Sequence, residues 1–362
     1  MIKHKEHFHG SDLEKIEQYY GIKKEDIISF SANVNPLGIS PNLRKTLSEH
    51  LDAITTYPDR EYTSLRHCIA EYIHSDAEHI IVGNGSTELI SLFIQIEHPK
   101  KAMVLGPTYS EYEREIFLGG GTTHYYPLKE ADDFALNIED FTACLNESID
   151  LLVICNPNNP TGRTAQPELL REIVRKCTEN GVKLVVDECF NDFLSDAERH
   201  TRKDLLESNL GLIILRAYTK MYAVPGVRFG WCMTADAALI EKLYHAGQPW
   251  NVSVIAQACA VAAANEPDWA TETAKRIAEE RRFLSDGLAA RGLTVFPGEA
   301  NFLLFRSNDT GLHEKLAEHG IMIRNCDNYR GLSAGYYRVA VKTREASERL
   351  LQIITNYTQC EV

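Results

Sequence analysis

The chain alternates short runs that are almost wholly apolar with longer stretches whose apolar positions recur every three or four residues. IIVG (80–83), AMVLG (102–106), LLVIC (151–155), VKLVVD (182–187) and LGLIILR (210–216) are runs of the first kind. Strands apolar on both faces belong in a parallel sheet covered by helices. Leu65, Ile69 and Ile73, and again Leu170, Ile173, Val174 and Cys177, carry the helical spacing. The second set lies between the strands at 149–155 and 182–187, so the segment predicts a strand-helix-strand unit with parallel, right-handed pairing.

Toward the N-terminus the pattern predicts a helix capped by Ser11 with Glu14, burying Leu13, Ile16 and Tyr20 and stopped at Gly21. SFSANVNPLG (29–38) reads as an irregular loop in which Asn33 and Asn35 suit turn caps. A helix opened by Pro41 carries Leu43, Leu47 and Leu51 on one face. After FGWCMT, helices at about 253–264 and 267–291 give way to LTVF, NFLLFR, IMIR and YYRVAV. The expected division is an arm at 1–39 that helps complete the small domain, a large domain at 40–243, and a small α+β domain at 244–362.

Composition adds exclusions. The chain has 362 residues, 44% hydrophobic and 25% charged, as in ordinary globular proteins. A formal charge of -13 argues against a general nucleic-acid surface and leaves room for a local basic pocket. Nine scattered cysteines show no C-x-x-C pair, which suits a reducing compartment. With no signal-like or bilayer-length apolar run, a cytoplasmic protein without a membrane partner is expected. His4, His7 and His9 lack the carboxylate partners of a metal motif, so no metal is expected.

Chemistry gathers at the strand ends. Lys220 follows the run at 210–216 in RAYTKMYAVPGVRFG, between Thr219 and Arg228. A desolvated lysine becomes nucleophilic, and Arg228 offers a fork suited to phosphate, so the stretch suggests a Schiff base with pyridoxal phosphate. A solvated loop lysine fits the same pattern. Gly85, Ser86 and Thr87 open a helix whose N-terminus can be plainly capped or can hold a phosphate. Tyr109, at another strand-to-helix turn, fits a packing ring or one stacked on a flat cofactor. Asp187 ends an apolar strand and needs a partner, either a salt bridge or a protonated ring nitrogen.

NPNNPTG (156–162), the strand-end Asp187-Glu188, and Thr219-Lys220 followed by Val227-Arg228-Phe229-Gly230 together resemble the fold-type I pyridoxal phosphate enzymes of the aminotransferase class I/II group. The resemblance covers nearly the whole chain. It implies an α/β fold whose large domain holds a mostly parallel seven-stranded sheet between helices. It also makes Lys220 the Schiff-base lysine and Asp187 the partner of the pyridine nitrogen. Asn159 would bond the cofactor's phenolic oxygen and Tyr109 would stack on the ring. Gly85, Ser86, Thr87, Thr219 and Arg228 would form the phosphate cup, with Tyr57 reaching the phosphate of a neighbouring subunit in a homodimer. Phe190 stands where many relatives carry a tyrosine that donates to the phenolic oxygen.

Arg338 lies inside an apolar strand, where a bidentate carboxylate is a natural counter-ion, and the resemblance gives it the substrate α-carboxylate. Within the group, HG near the start, SANVNPLG and NYRGLSAGYYRVAV most resemble the L-threonine O-3-phosphate decarboxylase family of cobalamin biosynthesis, related to the histidinol-phosphate aminotransferases. His9, Asn33 and Arg324 would then surround a substrate phosphate, although this chain has HGS where that family commonly has HGG. Decarboxylation and transamination use the same residues, so the motifs leave both reactions open.

Overall fold

The computed structural model describes residues 13–358. A two-residue strand, β1 (Ile28–Ser29), leads into the helices Pro41–Glu49 and Thr63–Ile73. The large sheet is then built from β2 (Ile80–Gly83), β3 (Lys101–Gly106), β4 (Thr122–Pro127), β5 (Leu151–Cys155), β6 (Lys183–Asp187), β7 (Leu212–Arg216) and β8 (Gly230–Met233). Its strand order is β2-β8-β7-β6-β5-β3-β4. All ladders are parallel except those of β8, which runs antiparallel to both β2 and β7. This is the expected α/β fold, with a mostly parallel seven-stranded sheet.

Every residue of β2, β5, β7 and β8 is buried, which explains why these strands read as unbroken apolar runs. The helix Pro167–Glu179 joins β5 to β6 and buries Leu170, Ile173, Val174 and Cys177, as its spacing predicts. Parallel strands present their C-terminal ends along one edge. Asp187 therefore stands opposite Cys155 on one side and Leu215 on the other.

Farther along, β9 (Thr294–Val295), β10 (Phe302–Arg306), β12 (Arg324–Asn325) and β13 (Tyr336–Ala340) form a second sheet in the order β12-β13-β10-β9. The remaining strand, β11 (Ile321–Met322), pairs in parallel with β1, so the segment after the first helix joins the C-terminal part of the chain. The anticipated division between residues 243 and 244 falls within the helix Ala237–Ala246.

Two burial expectations fail. Tyr20 and Leu51 are exposed, because the helices Leu13–Tyr20 and Pro41–Glu49 end at or before them and the buried stripe does not continue. Ser40 caps the latter helix, accepting from Leu43 N at 3.0 Å, and Gly21 follows the former at φ +68°. The Ser11 cap lies outside the described residues.

Candidate active site

The strand ends open onto a cleft of about 1180 Å³, part of it continuous with solvent. Gly85, Ser86, Thr87, Tyr109, Asn159, Asp187, Thr219, Lys220, Arg228, Asn33, Arg324 and Arg338 all line it. Residues from nine separate runs of sequence thus meet in one cleft. Tyr57 is not among the lining residues; it is 79% exposed, with its ring 4.7 Å from that of Trp250. His9 lies outside the described residues.

One corner of the cleft is built for an anion. The helix Ser86–Glu97 begins there, and the N–H groups of a first helical turn have no intrahelical acceptor. Gly85 has φ +86°, and a Cβ at this position would stand 2.5 Å from Arg228 Nη2. Only glycine lets the guanidinium close on that turn. Arg228 itself is left-handed at φ +60°, an unfavourable backbone for arginine that faces the Gly85 turn. Gly230 is needed for a similar reason, since a Cβ there would come within 2.5 Å of Ser86 N.

The opposite end is anionic. Asp187 is 5% exposed; its Oδ1 accepts the Cys189 N–H at 3.0 Å and its Oδ2 accepts the Tyr112 hydroxyl at 2.6 Å. Between the two ends stands Lys220. Burial holds its ammonium below the usual lysine range, against the opposing effect of Cys189, and Arg338 and Arg228 add to the lowering. The lowering favours the free amine, the form that adds to a carbonyl group.

The loop 31–35 secures the Lys220 segment. Asn35 N donates to Lys220 O at 3.1 Å and Asn35 Nδ2 to Met221 O at 2.8 Å. Asn35 Oδ1 also accepts from Leu37 N at 2.9 Å, the turn its sequence suggested. In NPNNPTG the asparagines divide their work. Asn156 Oδ1 accepts from Ala165 N, and Asn158 bonds Pro107 O, Thr108 and Thr161, so both hold the loop. Asn159 Oδ1 instead accepts from Arg338 Nη1, while Arg338 Nη2 donates to Ser31 O at 2.7 Å.

Arg324 and Arg338 face each other across the β12–β13 ladder as register partners. Arg324 donates to Asn328 at 3.1 Å and lies 5.5 Å from the Tyr329 ring centroid. Phe190 packs edge-on against Phe302, with centroids 5.0 Å apart. Sequence reasoning did not single out Ser31, Tyr112, Cys189 or Tyr329, which also line the cleft. Tyr112 had one available signal: it follows Tyr109 at i+3, the spacing of helical neighbours.

The donor set fits pyridoxal 5'-phosphate. It offers a cation and a helix N-terminus for a phosphate, a carboxylate for a protonated ring nitrogen, and a deprotonatable amine for an aldehyde. Among the described residues, no group of His, Cys, Asp or Glu is arranged to hold a metal ion, and no helix is long and apolar enough to cross a membrane.

Comparison with known proteins agrees with this geometry. Residues 25–354 match the family described as aminotransferase class I and II. The chain belongs to that family and is a pyridoxal 5'-phosphate-dependent enzyme. It is 34% identical over 351 residues to a threonine-phosphate decarboxylase of Salmonella typhimurium, covering 96% of each chain. It is also 27% identical over 352 residues to a histidinol-phosphate aminotransferase of Methanocaldococcus jannaschii, covering 95% of this chain and 93% of that one. The crystal structure of the histidinol-phosphate aminotransferase from Clostridium acetobutylicum superposes with a TM-score of 0.87 at 27% identity, covering 92% of this chain and all of the other.

Proposed function

We propose that the protein decarboxylates L-threonine O-3-phosphate to (R)-1-amino-2-propanol O-2-phosphate, a step of cobalamin biosynthesis. The observation that carries this reading is the cross-strand pair Arg324 and Arg338, both lining one cleft. Like charges directly opposite on a ladder repel, so a ligand with two anionic groups close together is the natural partner. L-Threonine O-3-phosphate carries its carboxylate and phosphate on adjacent carbons. The similarity to a threonine-phosphate decarboxylase over nearly the whole chain supports the same substrate.

In this reading Gly85, Ser86, Thr87, Thr219 and Arg228 hold the cofactor phosphate, and Asp187 holds the ring nitrogen. Tyr109 covers one face of the ring and keeps water from it. Asn159, whose Oδ1 accepts from Arg338, would bond the cofactor's phenolic oxygen. Arg338 binds the substrate carboxylate, while Arg324, Asn33 and His9 receive its phosphate. Bound pyridoxal 5'-phosphate supplies an electron sink for the pair left on Cα. Held by its carboxylate and its phosphate, the substrate would be fixed in one orientation by Arg338 and Arg324. With the carboxylate lost as carbon dioxide, Lys220, having taken up a proton, would be the group that delivers it to Cα. Tyr57, exposed in one chain, reaches the phosphate of a second copy in a homodimer. The eight cysteines among the described residues are all free thiols, in keeping with a cytoplasmic setting.

Similarity to histidinol-phosphate aminotransferases favours a second reading, transamination of histidinol phosphate or a related amino acid. One incubation separates the two. The holoenzyme is given L-threonine O-3-phosphate without a keto acid, and carbon dioxide and the amine product are followed. Steady turnover establishes the decarboxylase. No gas, with an absorbance change reversed by 2-oxoglutarate, establishes an aminotransferase instead.

A further inference from the structure

Asp187 is held by two donors that approach different oxygens. The Cys189 N–H reaches Oδ1 at 3.0 Å, and the Tyr112 hydroxyl reaches Oδ2 at 2.6 Å. Tyr112 is completely buried, in the first turn of the helix Glu111–Leu118. Its ring meets Tyr109 edge-to-face, with centroids 5.5 Å apart and planes at 84°. The tyrosine that lines the cleft and the tyrosine that grips the carboxylate therefore rise from one turn and pack as a unit.

We infer that Tyr112 is the positioning residue for Asp187, fixing the carboxylate and keeping it ionised so that it can pair with a protonated ring nitrogen. The inference rests on the assignment of Asp187 to the cofactor ring. Its physical basis is the shared proton. A proton between a carboxylate and a pyridine nitrogen can sit on either, and a donor on the far carboxylate oxygen stabilises the negative charge and leaves the proton on the ring. The hydrogen bond also stops the carboxylate rotating, so its remaining lone pairs keep a single orientation. Burial, reinforced by the Asp187 charge, drives the Tyr112 phenol far above its ordinary value, so it keeps its proton and acts as the donor. The Cys189 amide alone would leave Oδ2 buried without a partner.

The test compares two cofactors on the apo-protein. One is pyridoxal 5'-phosphate; the other is its deaza analogue, in which C–H replaces the ring nitrogen. Dissociation constants are measured by absorbance titration for the wild type, Tyr112→Phe, Asp187→Asn and the double variant, with circular dichroism and thermal unfolding confirming the fold. Tyr112→Phe is expected to weaken pyridoxal 5'-phosphate on the order of tenfold, the effect of one hydrogen bond to a charged group, and to leave the deaza analogue nearly unchanged. In the Asp187→Asn background the same substitution should cost nothing further. Equal loss for both cofactors would make Tyr112 a packing residue and overturn the inference. If Tyr112→Phe spares both while Asp187→Asn still discriminates between them, the inference falls and the Asp187 assignment stands. If Asp187→Asn does not discriminate, both fall together.

Discussion

Arg216 Nη2 lies 2.9 Å from Glu188 Oε2, and Arg216 Nε donates to the same oxygen at 3.0 Å. Both side chains are almost completely hidden from water. Glu188 immediately follows Asp187 at the end of β6, while Arg216 ends β7 four residues before Lys220. The pair staples together the two strand ends that carry the carboxylate and the amine of the cleft. Arg216 Nη1 also lies 3.6 Å from Asp192 Oδ1, so removing the arginine strips two buried carboxylates of their counter-ion.

Arg216→Ala should therefore destabilise the protein by about 3–5 kcal/mol. Urea unfolding of the apo-protein measures this. A loss below about 1 kcal/mol, the range of an exposed pair, would show that water reaches the bridge.

Lys220 makes stability depend on pH. Its folded pKa lies below the ordinary 10.5, mainly through burial, so between those values the unfolded chain binds more protons than the native one. Burying the ammonium is thus a cost at neutral pH, relieved as pH rises through that window. Apo Lys220→Met should melt at a higher temperature than the apo wild type at pH 7, and the gap should narrow as pH approaches 10.5. A gap constant with pH would place the amine in solvent.

Arg324→Ala should raise KM for a phosphorylated substrate by about ten- to a hundredfold, the effect of losing charge-assisted hydrogen bonds, while leaving the affinity for pyridoxal 5'-phosphate unchanged. Steady-state kinetics and cofactor titration give the two numbers. Equal loss in both would move the substrate phosphate elsewhere.

Tyr57 can be tested by complementation. If it serves the neighbouring copy, Tyr57→Ala and Lys220→Ala proteins, each nearly inactive, should regain activity when unfolded together and refolded. Random pairing makes half the dimers hybrids with one intact site each, so about a quarter of wild-type activity is expected. Sedimentation should show a dimer. A dimer whose mixtures stay inactive would put Tyr57 outside the active site.

Much of the fold was legible because parallel strands and their covering helices leave strong periodicities. The helix at 167–179 and the buried strands on either side read directly from the sequence. Tyr20 and Leu51 misled because periodicity does not say where a helix loses its neighbour. The three asparagines of NPNNPTG illustrate the same limit inside the site. Identical side chains in one loop either brace it or face Arg338, depending on which partner stands nearby.

Lys220, Asp187, Arg228 and the Gly85 turn are legible from sequence alone because each carries a local signal: a strand end, a charge closing an apolar run, a guanidinium fork or a helix N-terminus. The sequence by itself determined the order of elements, the reactive groups and the family. Tertiary structure alone decided that Tyr112 grips Asp187, that Asn35 clasps the Lys220 loop, and that Arg324 stands opposite Arg338. The physical reason is range. Periodicity and capping act over a few residues, whereas these contacts join positions 75 and 186 residues apart, or two strands whose register is set by the whole ladder.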